Sequence, residues 1–346
     1  MPAPEPNWAT SRLRVRWDNL LKLDRTPRSN LVAGTSRHFQ VEKLASGVYA
    51  AVATAGGFAL CNAGIVDLGG ETVVFDTMLT PMAGADLVRA SERATGRRPA
   101  WVINSHWHGD HIWGNSAFAG SHVVSSRKVR STVLELSRAQ FESDRKQMRH
   151  ELPLLEGPHS PYPVADREVV LGWFQGVLAT PRAHRIVPPG VTFEDELILE
   201  GSRRSLRVVT YGGGHSPSDV FAYLPEEKVL FAGDLALNGL HPSVSNGRPS
   251  EWISILRRME KLRATAVVPG HGATTGGQVL PRNRTYLQHL KRIVREALRD
   301  RVPVGRLAEM PIPAPYRRWG FSFMFGGNLA RTYRLAQMRG TRSRIA

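Results

Sequence analysis

The chain carries a single cysteine, Cys61. An internal disulfide is therefore excluded, and a reducing, cytoplasmic setting is expected. A lone thiol can be a nucleophile, but the preferred reading of Cys61 is a small buried residue within a strand. Long hydrophobic runs are missing as well. Stretches such as residues 73–75 fall far short of the roughly 20 apolar residues that a membrane-spanning helix needs. The first eight residues, Met1 to Trp8, show no basic segment followed by an apolar one, so no signal peptide is expected. Repeats, low-complexity tracts and any Ser-His-Asp or Cys-His nucleophile motif are absent too.

Acidic residues are also scarce, with 46 Lys and Arg against 30 Asp and Glu and a net charge of +16. Such a balance can steer a protein to nucleic acid, an anionic membrane or an acidic carrier protein. The arginines run from Arg12 to Arg344 without forming one block, which favours a solvated, arginine-rich surface. An acidic carrier protein stays open as a partner. Nucleic acid is disfavoured, and no membrane partner is expected.

At 346 residues the chain suits a single large α/β domain with additions. Residues 1–38 mix prolines with a basic stretch at 12–28, and Trp17, Leu20 and Leu21 recur at helical spacing, predicting a partly helical N-terminal arm. From Phe39 the pattern predicts strands at residues 48–54, 63–67 and 72–76, the last two joined through Gly69 and Gly70. A helix over 81–95, closed by Gly96, precedes a strand at 101–104. Residues 121–201 read as an insertion. Within it Val129, Val133, Leu136 and Gln140 share a helical face, and 152–166, with Pro153, Pro158, Pro161 and Pro163, reads as a loop. Strands return at 206–210, 219–224, 228–232 and 266–268, with a helix at 252–262. A basic helix at 284–298 opens a C-terminal helical and aromatic extension from about residue 282. Two β-rich halves, each ending in a helix, predict an α/β fold of four layers, an αββα sandwich over residues 39–346.

The chemistry concentrates in Ser105-His106-Trp107-His108-Gly109-Asp110-His111. On an extended segment His106 and His108 point the same way, toward one cation. Asp110 and His111 follow where the chain turns into a helix, and reach a second position nearby. Imidazole nitrogens suit zinc, and a carboxylate compensates its charge. Three further segments each put such a donor at a predicted strand end: Gly212-Gly213-Gly214-His215, Gly233-Asp234 and Pro269-Gly270-His271. A Gly-His pair alone is commonplace, but four such segments in one chain are not.

Together these motifs resemble those of the metallo-β-lactamase superfamily over residues 48–271. The resemblance implies that His106, His108 and His215 bind a first metal, that Asp110, His111 and His271 bind a second, and that Asp234 bridges the two. It also implies that Asp76 orients a histidine ligand. All seven ligand positions are filled. The true β-lactamases have a zinc-binding cysteine where this chain has Asp234, so the pattern sits closer to glyoxalase II-like and lactonase-like members.

The implied activity is hydrolysis of a carboxylic acid derivative (a lactone, ester, thioester or amide) by a water bridging two zinc ions. Asp110 is the candidate proton shuttle. The alternatives are an iron-dependent redox enzyme of the same fold, resembling the persulfide dioxygenases, and, less favoured, a nuclease. Other residues carry weaker expectations. His241 belongs either to the rim of the site or to an exposed turn, while Tyr211 and Asn238 are expected to make structural hydrogen bonds. Of Trp107 and Trp113, at least one should be core. His38, His122, His150, His159, His184 and His289 are read as non-ligands. The aromatic run at 321–328 is a candidate lining for an apolar acyl group.

Overall fold

The computed structural model describes residues 36–156 and 164–345. The arm expected over residues 1–38 therefore lies almost wholly outside the described residues, as do Pro158, His159, Pro161 and Pro163.

The described strands form two sheets. The first holds β1 (Phe39–Ala45), β2 (Val48–Ala53), β3 (Ala63–Asp67), β4 (Thr72–Phe75), β5 (Pro99–Ile103), β6 (His122–Ser126) and β7 (Val191–Phe193), side by side in chain order. Strands β1 to β4 pair antiparallel, and β5, β6 and β7 are added in parallel. The second runs β12-β11-β10-β9-β8, from β8 (Glu196–Glu200), β9 (Ser205–Thr210), β10 (Val220–Leu224), β11 (Val229–Leu237) and β12 (Ala266–His271). Only β11 and β12 pair in parallel there.

Alternation along each strand sorts the core into layers. Val73, Phe75 and Val66 of the first sheet meet Val208, Ala222 and Phe231 of the second, with Phe75 and Phe231 stacked at 5.9 Å. The intervening positions, Ile65, Val74 and Val102, face outward onto Leu87 and Val88 of α1 (Pro81–Thr95). Phe221, Leu230 and Val267 likewise face Trp252 of α5 (Pro249–Glu260), Leu290 of α6 (Val279–Arg299) and Leu329 of α7 (Met324–Ile345). The result is helix, sheet, sheet, helix. Local chemistry sets the helix ends: the Thr80 hydroxyl accepts from Ala83 N, Pro81 opens the first turn of α1, and Gly96 closes it at φ 75.

Several details differ from the sequence reading. Helix α3 (Arg127–Glu156) runs through Pro153, and α4 begins at Val164 (Val164–Ala179), so both ends of the expected 152–166 loop are helical. Met148 and Leu155 are buried in the inter-sheet core, and that burial offsets the roughly 3 kcal/mol that an interior proline costs. The buried stripe of α3 passes through Val129, Val133, Ser137 and Phe141, leaving Leu136 exposed. Helix α6 starts ahead of Arg284 because Val279, Leu280 and Asn283 are themselves buried. Cys61 is buried, but it lies in the loop before β3 and not in a strand. Burial pushes its thiol up to about 12, so it stays protonated and inert.

The charge is not spread evenly either. Residues 279–346 hold 15 Lys and Arg against 3 Asp and Glu, a net +12 of the +16. The arginines do run the whole length, but the acids nearly stop after Glu260. Among the described residues no helix is long and apolar enough to cross a membrane.

Candidate metal centre

Strand ends from both sheets, and a bulge within β11, gather the predicted donors at one edge of the sandwich. Beyond β5, Ser105 to His108 stay extended, and a single helical turn, α2 (Gly109–Ile112), carries Asp110 and His111. Gly109 is required there, because a Cβ would lie 2.2 Å from the Trp113 ring. His215 follows β9 through the glycine loop. Asp219 holds that loop, its carboxylate accepting from Gly214 N (2.7 Å), His215 N (2.9 Å) and Ser216 N (3.1 Å). Asp234 sits within β11, not at its end. The register against β12 shifts at Gly233, whose φ is 51, and this bulge turns the Asp234 side chain into the site.

Two donor groups result, His106, His108, His215 and Asp234 in one and Asp110, His111 and His271 in the other. In the first, His108 Nδ1 lies 2.9 Å from His106 Nε2 and 3.0 Å from His215 Nε2, and Asp234 Oδ2 is 3.3 Å from His215 Nε2. In the second, Asp110 Oδ2 is 3.2 Å from His271 Nε2 and 3.5 Å from His111 Nε2. Asp234 Oδ1 faces this second group, 3.2 Å from His111 Nε2 and 3.3 Å from His271 Nε2. Tetrahedral donors bonded to zinc at roughly 2.0–2.1 Å stand about 3.3 Å apart, so the spacing fits such an ion. His111 Nε2 and Asp234 Oδ1 are also buried without a hydrogen-bond partner among the described residues, as atoms reserved for a cation would be.

The other nitrogen of each imidazole is held by a group that can accept from it. His111 Nδ1 donates to Asp76 Oδ2 (2.7 Å), His215 Nδ1 to Ser243 O (3.1 Å) and His271 Nδ1 to Leu60 O (3.0 Å). His108 Nε2 donates to Asn246 Oδ1 (3.1 Å), and His106 Nδ1 to Ser105 Oγ (2.9 Å), whose hydroxyl in turn donates to Asp76 Oδ2 (2.7 Å). Each bond selects the tautomer whose lone pair faces the centre. Ser105, Ser243, Asn246 and Leu60 were not foreseen. Ser105 adjoins the histidine motif and was findable, whereas a main-chain carbonyl leaves no mark in a sequence.

Electrostatics divide the two groups. Burial lowers His106, His108 and His215, the last to about 3, so all three are neutral and able to bind metal. Burial also pulls on His271, but Asp234 and Asp110 outweigh it and raise it to about 10. Burial pulls His111 down, but the carboxylates of Asp110, Asp76 and Asp234 outweigh it and raise it well above its usual value. Burial opposes ionisation of Asp234, yet His271 and His111 hold it well below the usual range. Without metal, protons on His111 and His271 therefore balance the acids. A metal must displace them, so its affinity rises with pH until these groups have titrated.

Asp76 is buried with φ 59, a conformation that costs a non-glycine residue about 1–3 kcal/mol. Its Oδ1 accepts from Ser105 N at 2.7 Å. Asp76→Asn would place an amide against the His111 Nδ1–H or the Ser105 hydroxyl. Affinity for the second metal should fall about 10- to 100-fold in chelator competition. An unchanged affinity would remove Asp76 from this role.

The weaker candidates resolve differently. His241 is neither at the rim nor exposed: it is buried, with Nδ1 on Tyr286 Oη (3.0 Å) and Nε2 on Tyr316 O (3.1 Å). Tyr211 lies under the Arg258 guanidinium, which is 3.3 Å from its ring centre, and the expected hydrogen bond of its hydroxyl is not found among the described residues. Asn238 Nδ2 does donate, to Ala273 O at 3.1 Å. Trp107 and Trp113 are both buried in the inter-sheet core, Trp107 beside His108. His38, His122, His150, His184 and His289 lie outside the donor groups. Phe321 packs its ring edge-on to His271, with centroids 6.4 Å apart.

A family model described as the metallo-beta-lactamase superfamily matches residues 56–271. A linear primary-alkylsulfatase of Pseudomonas sp. (strain ATCC 19151) is 25% identical over 207 residues, covering 57% of this chain and 37% of that protein. A metallo-beta-lactamase type 2 of Bacteroides fragilis is 27% identical over 109 residues, covering 30% of this chain and 41% of that protein. The matches thus span well under half the length of either curated relative. Among solved structures, a metallo-beta-lactamase from Pontibacter korlensis aligns with a TM-score of 0.54 at 21% identity, covering 72% of this chain and 99% of that one. This likeness bears on the fold alone. The family match runs from the turn after β2 to the last histidine of the donor cluster, and the chain belongs to the metallo-beta-lactamase superfamily of metallohydrolases.

Proposed function

We propose that this protein is a dinuclear zinc-dependent hydrolase acting on a small molecule with an apolar chain. The observation that carries the reading is Asp234, whose Oδ2 faces the first donor group and whose Oδ1 faces the second. His106, His108 and His215 would hold one ion, Asp110, His111 and His271 the other, with Asp234 between them. Zinc bound there would acidify a water to near neutral pH and polarise the scissile group. The chain's own part is to hold that geometry and to move a proton. Asp110, whose side chain is 16% exposed against 8% for Asp234, is the carboxylate open to a leaving group and the candidate shuttle.

The proposed substrate is a carboxylic acid derivative (lactone, ester, thioester or amide). The Pseudomonas relative's name adds a second class, a primary alkyl sulfate. Both classes present an apolar chain, and Phe321 with its neighbour Phe323, at a ring distance of 5.8 Å, offers an apolar wall beside His271. The helices within residues 121–201 form the opposite wall in this reading, and the lone reduced thiol of Cys61 accords with a cytoplasmic setting.

Metal analysis of protein purified without chelator, followed by an ester, thioester, lactone and alkyl sulfate panel graded by chain length, tests the proposal. About two zinc per chain are expected, with kcat/KM rising with chain length and that rise lost in Phe321→Ala. One iron per chain with oxygen consumption would establish the redox alternative, in which the same imidazole and carboxylate donors hold iron.

A further inference from the structure

We infer that the C-terminal extension is part of the metal centre, with Asn328 as the residue that positions His215. The inference rests on the metallohydrolase reading and extends it to a segment beyond the family match, which ends at His271.

Asn328 lies on α7 with 3% of its surface exposed. Its Oδ1 accepts from Val244 N at 2.9 Å, and its Nδ2 donates to Pro242 O at 2.7 Å. One side-chain amide thus grips both neighbours of Ser243. The Ser243 carbonyl is the acceptor for His215 Nδ1–H, and so sets the tautomer and ring angle of that ligand. The orientation of the amide is itself determined: Oδ1 must face a backbone N–H, so both Nδ2 hydrogens are left to donate, the second to Tyr286 Oη at 3.0 Å.

The network closes without an unsatisfied group. Tyr286 Oη, buried, donates to His241 Nδ1, and His241 Nε2 donates to Tyr316 O. Burial lowers His241 to about 4, in keeping with a neutral ring that donates once and accepts once. Main-chain bonds stitch the same segment down, from His241 N to Gly320 O (2.8 Å) and from Gly320 N to Gly239 O (2.9 Å). Phe321, next in the chain, then meets His271. The extension therefore touches both halves of the site: it holds the acceptor of His215 through Asn328 and packs on His271 through Phe321. A fully satisfied buried network has one arrangement and transmits it rigidly.

The test is Asn328→Ala in the full-length protein loaded with zinc or cobalt(II). Affinity for the first metal should fall about 10- to 100-fold in chelator competition. In proton NMR of the zinc form, the His215 Nδ1–H should exchange faster with solvent while the His271 Nδ1–H, held by Leu60 O, is unaffected. A merely structural loss would loosen both. Asn328→Leu, which keeps the volume, repeats the measurement should the alanine variant fail to fold. Tyr333→Phe removes a different anchor of the extension, the Tyr333 Oη bond to Val302 O (3.1 Å), and should leave metal affinity unchanged. Wild-type affinity and equal exchange of the two N–H groups in the Asn328 variants would overturn the inference alone. A wild-type protein that binds no metal tightly would overturn the metallohydrolase reading and this inference with it.

Discussion

Asp234→Ala is expected to leave no more than one zinc per chain and to lower turnover by more than ~10³-fold, at least about 4 kcal/mol of transition-state stabilisation. The magnitude follows from how many partners the carboxylate serves. Among the described residues its two oxygens are the groups that face both donor sets, lying 3.2–3.3 Å from His215, His111 and His271. Without it, Asp110 is the one carboxylate left facing the Nε2 atoms of His111 and His271, and the second group loses half of the carboxylate charge that offsets a divalent ion in a buried setting. The first site keeps three neutral imidazoles, so one weakly held ion should survive. The fold should survive too, because the inter-sheet core formed around Phe75 and Phe231 does not involve Asp234. Plasma mass spectrometry together with initial rates reads both effects. Two zinc ions and full turnover in this variant would sink the dinuclear reading.

The part of the site legible in the sequence was the part built from His and Asp side chains that follow a strand or a glycine. His106, His108, Asp110 and His111 stand in one motif, and His215, Asp234 and His271 each follow glycines that let the backbone come close. These seven residues meet in the structure. The apolar runs at 63–67 and 228–232 likewise made buried strands legible, while the face that each residue presents emerged only in the structure. What escaped was set by tertiary contact. Nothing local shows that Ser137 and not Leu136 turns inward on α3, since its hydroxyl is paired with Trp107 O at 3.4 Å only in the folded chain. Pro153 reads as a helix breaker until Leu155 is seen in the core. His241, in a Gly-Leu-His-Pro sequence, looks like a turn residue, and its partners, Tyr316 O as acceptor and Tyr286 Oη as donor, come from distant segments. The basic surplus was misplaced for a simpler reason: counting cations along the chain hides a shortage of acids after Glu260.

Gly270→Ala should be nearly as damaging, although it removes no ligand. A Cβ at position 270 would lie 1.9 Å from Asp234 Oδ1 and 2.9 Å from Asp234 N. Real contacts of this kind do not fall below 3 Å, so the carboxylate or β12 must move by an ångström or more. The carboxylate is the easier to move, and the oxygen displaced is the one that faces His111 and His271. Affinity for the second metal should therefore drop by at least ~100-fold, the upper range for a disturbed ligand shell, while the first site retains its three histidines. The metal-free protein should lose only the ~1–3 kcal/mol of an overpacked core site, which separates a metal defect from a folding defect. Gly305→Ala is the matched control: no atom lies within 4 Å of the added methyl, and it should change neither property. A Gly270→Ala protein with two tightly bound zinc ions would mean that Asp234 Oδ1 is not a ligand, and the second site would then rest on Asp110, His111 and His271 alone.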